Sequence, residues 1–300
     1  MAPAWSKEAE EFADELLKKC NFPPAGTAYD CAVSGGPDSL SLLALAVRAG
    51  LEVTCYHVDH QIRSGSHLEV ELVQKAADFF RAAFIALQVK VDPGPNLEAR
   101  ARALRKAVLP ADVATGHTMD DQAETVLINL LRGAGPGGLK AMERGFCHPI
   151  LEIRRFETRK LVELLSLDPV WDPSNNDPRF LRNRVRHELL PLCNDIAGRD
   201  VAVLLARSSK IIAEEDQFLE TLAKEIQADR VDQIASIDDV LAKRALRRWL
   251  RDLDGEKHPP SYDHLERVLE VAKKKRLACQ LPTGITIRRS QGVLKIINEK

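Results

Sequence analysis

Apolar positions follow two rhythms in the first half of the chain. TAYDCAV (27–33), LEVTCYHV (51–58), FIALQV (84–89) and DVATG (112–116) are short apolar runs and predict strands. Between them, PDSLSLLALAVRAG (37–50), SHLEVELVQKAADFFRA (66–82), NLEARARALRKAVL (96–109) and MDDQAETVLINLLR (119–132) carry apolar residues at helical spacing. Such βαβα alternation predicts an α/β fold, a doubly wound and mainly parallel sheet with helices on both faces. Ligands of such sheets bind at the carboxyl ends of the strands. The polar clusters fall there: SGGPDS after the first run, DHQIRSGS after the second and GHTMDD after the fourth.

After Ile150 the pattern changes. A Pro- and Asn-rich crossing, DPVWDPSNNDPRF (168–180), leads into helical spacing in LRNRVRHELLPLC (181–193). From about Asp200 the chain reads as all-helical, ending in strand-like ITIRRS and GVLKIIN. Two domains are expected, 1–205 and a smaller, mainly α domain at 206–300; a length of 300 residues with 45% hydrophobic positions suits both cores.

No stretch reaches the roughly 20 apolar residues that span a bilayer, and the start, MAPAWSKEAEEFADELL, is acidic and amphipathic rather than a signal peptide. A cytoplasmic protein with no membrane partner is expected. The six cysteines contain no C-x-x-C pair, which argues against a disulfide framework and against a zinc or iron-sulfur knuckle. Net charge is -1, but from Leu241 onward 15 Lys and Arg face 7 Asp and Glu. That basic end, RALRRWLRD and VAKKKRLA, reads either as a nucleic-acid footprint or as a solvated helix face.

Several short patterns carry chemistry. The Walker A pattern is absent, since no Gly-Lys dipeptide occurs, and GAGPGG (133–138) follows a helix rather than a strand and reads as a turn. In SGGPDS, Gly35 and Gly36 permit a sharp turn and close approach of a ligand, while Ser34 and Ser39 add hydroxyls beside a helix N-terminus that attracts phosphate. Asp38 beside phosphates asks for a bridging cation, magnesium, or for an amine substrate. The plain alternative is a turn with a capping Asp. Asp121 and Glu124 share one helix face and suit an ammonium or a proton, or merely complement the helix dipole. His117, and His57, Asp59 and His60 at the second strand's end, lack metal-ligand spacing. Glu98, Arg102 and Arg105 share a face of the 96–109 helix. Arg179, Arg182, Arg184 and Arg186 offer guanidinium forks suited to RNA phosphates, or form a solvated, acid-paired helix.

These residues carry a family resemblance. Ser34, Gly35, Gly36, Pro37, Asp38 and Ser39 after a strand resemble the SGGxDS loop of the N-type ATP pyrophosphatases, the PP-loop superfamily, whose members transfer AMP from ATP and release pyrophosphate. Four further blocks, HVDHQIRSGSHLE (57–69), NLEARARALR (96–105), GHTMDDQAETVLINLLRGAGPGGLKAM (116–142) and WDPSNNDPRFLRNRVRHELLP (171–191), together resemble tRNA(Ile)-lysidine synthetase in the same order. The resemblance implies ATP-dependent attachment of free L-lysine to C2 of the wobble cytidine in the CAU anticodon of tRNA(Ile), through an adenylated cytidine. It implies ATP and Mg as cofactors and tRNA(Ile) as partner, and leaves a homodimer open. By the same resemblance Ser34 to Ser39, Val58, Asp59, Gly116 and His117 bind the nucleotide, with Asp38 as a magnesium ligand. Asp38, Arg102, Asp121 and Glu124 are the implied catalytic set, and Arg105, Arg182, Arg184 and Arg186 the tRNA contacts. Lys106 stands where the family usually has an aromatic. Longer members carry a third domain; this chain is expected to recognise tRNA with two. A PP-loop tRNA thiolase and a non-catalytic nucleotide-binding regulator are the competing expectations.

Overall fold

A computed structural model describes residues 5–59, 66–90, 97–171, 176–254, 260–281 and 284–298. The chain divides into two compact units, Met1–Ile211 and Ile212–Lys300.

The first unit is built on a parallel sheet of β1 (Ala28–Ala32), β2 (Glu52–Asp59), β3 (Ala83–Gln88) and β4 (Ala114–Thr115), in the order β3-β2-β1-β4. Cys31 of β1 sits between Cys55 of β2 and Ala114 of β4. Strand order therefore reverses at β1, and the crevice of such a sheet opens at the carboxyl ends of β1 and β4. These strands and their parallel pairing are those the alternation of patterns predicts.

Helix α1 (Lys7–Leu17) opens with Ser6 as its N-cap, the side chain accepting from the N–H of Ala9 at 3.2 Å. Helix α2 (Pro37–Arg48) buries every residue from Ser39 to Ala46, so its run SLLALA faces protein on all sides. Ser41, the polar residue in the middle of that run, donates to the carbonyl of Thr158 at 2.8 Å. Helix α3 (Ser66–Phe80) covers β2 and β3, and α4 (Leu97–Val108) leads to β4. Helix α5 (Met119–Leu131) follows β4, then the one-turn α6 (Pro136–Leu139) within GAGPGG, then α7 (Arg155–Leu164), which packs on α2 and α1. Leu40, Leu42, Leu43, Leu45, Ile150, Ile153 and Leu161 form the centre of this core.

The arginine-rich stretch folds as α8 (Leu181–Arg184), a π-helical segment Val185–Leu189, and α9 (Leu190–Ala197). Pro191 has no N–H to give and its ring would crowd the carbonyl of His187 four residues back, which a regular α-turn cannot accommodate. The wider turn does, with the N–H of Leu190 reaching the carbonyl of Val185. Helix α10 (Val201–Lys224) spans the boundary between the units.

In the second unit α11 (Val231–Ser236), α12 (Asp239–Asp254) and α13 (Tyr262–Ala272) precede an antiparallel sheet of β5 (Ala278–Gln280), β6 (Ile285–Ser290) and β7 (Val293–Asn298). Gln291 and Gly292 both have positive φ, 50° and 78°, the geometry of a two-residue hairpin turn matched to strand twist. Ile234, Leu246, Leu265 and Ile287 are fully buried in its core. Within the basic run, Arg244 is bound to Asp216 at 2.7 Å, and Arg248 donates to the carbonyl of Ala223 at 2.8 Å, so part of that charge is structural. No helix among the described residues is long and apolar enough to cross a membrane.

Candidate active site

The loop after β1 closes on itself. Ser39 Oγ accepts from the N–H of Ser34 at 3.1 Å and donates to the carbonyl of Gly36 at 2.9 Å, while Gly36 caps α2 and Pro37 occupies its first turn. Gly35 has φ +87°, and a Cβ there would lie 2.8 Å from the Val170 side chain, whose own N–H donates to the Gly35 carbonyl at 2.9 Å. Gly116 follows β4 and lies against the first turn of α2: a Cβ would stand 2.7 Å from the Asp38 carbonyl oxygen and 2.9 Å from the Ser39 nitrogen. Two segments far apart in sequence, SGGPDS and GHT, are thus in backbone contact. Free N–H groups at the start of a helix, faced by small residues, form an anion cradle.

Beside the cradle lies a knot of charges. Asp121 is buried near the start of α5; its Oδ2 accepts from the N–H of Thr118 at 2.9 Å and from its hydroxyl at 2.8 Å, the geometry of a capping box. Asp121 Oδ1 accepts from Arg155 at 2.8 Å and Arg186 at 3.3 Å. Glu124, fully buried one turn on, accepts from Arg155 at 2.9 Å and from Arg186 at 2.7 Å on Oε1, and from Arg186 at 3.0 Å on Oε2. Arg182 reaches Glu124 at 4.0 Å and donates to Thr125 at 2.9 Å. Asp38 accepts from the Thr158 hydroxyl and stands 3.6 Å from Arg155 Nε. Asp120 on the outer side takes both arms of Arg154 at 3.0 Å and the N–H of Arg155 at 2.8 Å.

Burial raises the pKa of each carboxyl, and the neighbours decide the outcome. For Asp121 the Arg155 charge and the Thr118 N–H outweigh burial and hold it below the ordinary value; for Asp120, Arg154 and the Arg155 N–H do so. For Asp38 burial prevails over the Thr158 hydrogen bond and Arg155, and the pKa is raised. A depressed carboxyl contributes stability that is complete above its unfolded pKa and lost as pH falls through the lower folded value. The melting temperature is therefore expected to drop as pH is lowered past about 4, and Asp120→Asn to show a weaker drop, in thermal melts between pH 3 and 7. A wild-type melting temperature that stays flat to pH 3 contradicts this.

The remaining expected residues are placed as follows. Val58 and buried Asp59 end β2, where His57 Nδ1 lies 2.8 Å from the Val33 carbonyl at the root of the loop. His117 Nδ1 shares the Thr115 hydroxyl, at 2.7 Å, with His148 Nδ1 at 2.9 Å, the two rings edge to face. Arg105 is half-buried in α4; the Arg102 side chain, like His60 and Glu98, lies outside the described residues. Arg184 pairs with Glu188 and Arg179 with Asp177 rather than with the acidic pair. Among the described residues no group of three or more His, Cys, Asp or Glu could hold a metal ion. The structure thus joins the loop, Gly116, Asp121, Glu124, Arg182 and Arg186. It adds Arg155, Arg154, Thr158 and His148, which the sequence reading passed over; the one available signal was the adjacent Arg154 and Arg155 directly after the apolar PILEI.

Comparison with known proteins fits this arrangement. A PP-loop domain is matched over residues 7–193 and a TilS substrate binding domain over residues 230–294. The chain is 38% identical to a tRNA(Ile)-lysidine synthase of Nocardia farcinica, over 80% of each chain. It is 40% identical to that of Rhodococcus erythropolis, over 73% of this chain and 72% of the relative. It is 33% identical to that of Mycobacterium tuberculosis H37Rv, over 81% and 79%. Among solved structures, the U34-tRNA thiolase NcsA from Methanococcus maripaludis superposes with a TM-score of 0.53 at 16% identity, covering 69% of this chain and 78% of that one, a likeness of fold alone. With a PP-loop domain matched over more than half its length and relatives this similar over most of it, the chain belongs to the tRNA(Ile)-lysidine synthase family.

Proposed function

We propose that the chain joins free L-lysine to C2 of the wobble cytidine in the CAU anticodon of tRNA(Ile), in two steps. First the cytosine O2 attacks the α-phosphate of ATP, forming an adenylated cytidine and releasing pyrophosphate. Then the lysine ε-amine attacks C2, the C2–O bond breaks, AMP departs and the amine gives up a proton. The observation that supports this reading most is that one guanidinium, Arg155, contacts both the phosphate-loop carboxylate Asp38 and the pair Asp121 and Glu124. A phosphate site and an ammonium site are thereby side by side.

In this reading the loop from Ser34 to Ser39 and the α2 N-terminus hold the phosphates, and Gly116, His117, Val58 and Asp59 wall the nucleotide. Asp121 and Glu124 hold the lysine ammonium and take up its proton, since only the free amine is nucleophilic. Arg182 and Arg184, whose side chains are 38% and 59% exposed, are the proposed contacts to RNA phosphate, and Arg102 and Arg105 of α4 are proposed to serve phosphate or base. Arg186, committed to the acidic pair, orients it. Magnesium fits the donor set: a single partly buried carboxylate, Asp38, would hold it together with nucleotide oxygens, as is usual for this ion, and its charge would ease the ionisation that burial opposes. Its chemistry would be to neutralise developing phosphate charge.

The test is release of labelled pyrophosphate from ATP with an isoleucine CAU tRNA transcript, with and without lysine. Wild type is expected to place lysine in the RNA, and Asp38→Ala and Asp121→Ala to fail. ATP turnover with no lysine in the RNA overturns the lysine assignment.

A further inference from the structure

The acceptors of the acidic pair are nearly full. Asp121 Oδ2 takes two hydrogen bonds from Thr118, and Asp121 Oδ1 takes Arg155 and Arg186. Glu124 Oε1 again takes Arg155 and Arg186, and Oε2 takes Arg186 with Arg182 4.0 Å away. A carboxylate oxygen offers about two lone-pair sites, so one site, on Glu124 Oε2, is left for an ammonium that has three N–H groups to satisfy. Lysine can gain a full set of acceptors here only if a guanidinium leaves.

The two guanidiniums differ in where they could go. Among the described residues, Arg186 forms its ion pairs with Asp121 and Glu124, whereas Arg155 also faces Asp38 at the phosphate loop, Nε to Oδ2 at 3.6 Å. A triphosphate at the loop brings several negative charges to that side, and a planar guanidinium fork pairs with phosphate oxygens in two-point fashion. We propose that Arg155 is a positioning residue that sets the order of substrates: its guanidinium fills the place of the lysine ammonium, and nucleotide at the loop draws it toward Asp38 and the phosphates, opening Asp121 and Glu124 to lysine. This rests on the reading of Asp121 and Glu124 as the lysine subsite. The device keeps the amine away from the pair until there is something to activate the cytidine. It also makes binding of lysine and of nucleotide mutually reinforcing, as linkage requires.

Equilibrium dialysis of labelled L-lysine against the full chain tests this, with and without an α,β-methylene analogue of ATP. Wild type is expected to bind lysine about tenfold more tightly with the analogue, a coupling of ordinary size. Arg155→Gln, which removes the competing charge, is expected to bind lysine equally with and without the analogue, at least as tightly as analogue-loaded wild type. Arg155→Lys, which keeps a competing cation, is expected to retain the dependence. A purely supporting arginine gives the opposite sign: Arg155→Gln then binds lysine more weakly in both conditions, which overturns the proposal. So does a wild-type affinity indifferent to the analogue, a result that needs no variant to fold. Glu124→Gln separates the two levels of inference. Weakened lysine binding there, with no nucleotide effect in wild type, removes the ordering role alone; unchanged lysine binding there removes the subsite itself.

Discussion

Glu124→Ala is expected to cost about 3 kcal/mol of folding stability and to abolish lysine incorporation, because it strips a buried anion from two largely buried cations. Glu124 is fully buried, and its two oxygens receive three donors from Arg155 and Arg186. Truncation leaves those N–H groups unpaired and deprives Asp121 of the neighbour that divides the guanidiniums with it. The side chains of Arg155 and Arg186 are 15% and 21% exposed, so water takes up part of the load, which is why the lower end of the range for a broken buried pair applies. Glu124→Gln keeps the volume and one acceptor and is expected to be the milder variant in thermal melts, yet equally inactive in lysine transfer. A Glu124→Ala melting temperature equal to wild type would show that the knot carries no stability.

Gly116→Ala is expected to be as damaging by a different route. The new Cβ would stand 2.7 Å from the carbonyl oxygen of Asp38 and 2.8 Å from its carbonyl carbon, inside any tolerable contact and against backbone rather than a side chain that could swing away. Helix α2 cannot yield, since Leu40, Leu42, Leu43, Ala44, Leu45 and Ala46 are all fully buried. The end of β4 must move instead, and with it His117 and the start of α5. Overpacking of this kind costs about 1–3 kcal/mol. Displacing Asp121 from Asp38 by a fraction of an ångström is expected to slow tRNA-dependent pyrophosphate release about a hundredfold. Gly137→Ala, where a Cβ meets nothing within 4 Å, is the control and is expected to behave as wild type. Equal pyrophosphate release by the two variants would sink the prediction.

The strands at 28–32, 52–59, 83–88 and 114–115 lie within or beside the apolar runs that predict them, because strands that pack a sheet face against helices must supply apolar side chains; β1 and β2 do so at alternate positions. ITIRRS and GVLKIIN do form strands, whereas β5 has no legible pattern, since three residues are too few to carry a period. The turn at GAGPGG was legible from its position after a helix, and closes as a single helical turn. The π segment at Val185–Leu189 was not, since a proline within a helical run signals a break or a kink as readily as one wider turn.

The site divides in the same way. Local chemistry determined by sequence alone includes the phosphate loop, whose glycines, proline and serines act through their own backbone, and the shared face of Asp121 and Glu124, which follows from a three-residue interval on a helix. Which arginine meets which carboxylate was decided only by the fold. Arg155 is 34 residues from Asp121 and well over a hundred from Asp38, and Arg186 is 65 from Asp121. Helical or strand periodicity carries information over a few turns and none over such distances. What brings these charges together is the packing of α7 on α2 and the reversal of strand order at β1, and only there does a run of surface-like arginines become part of a buried site.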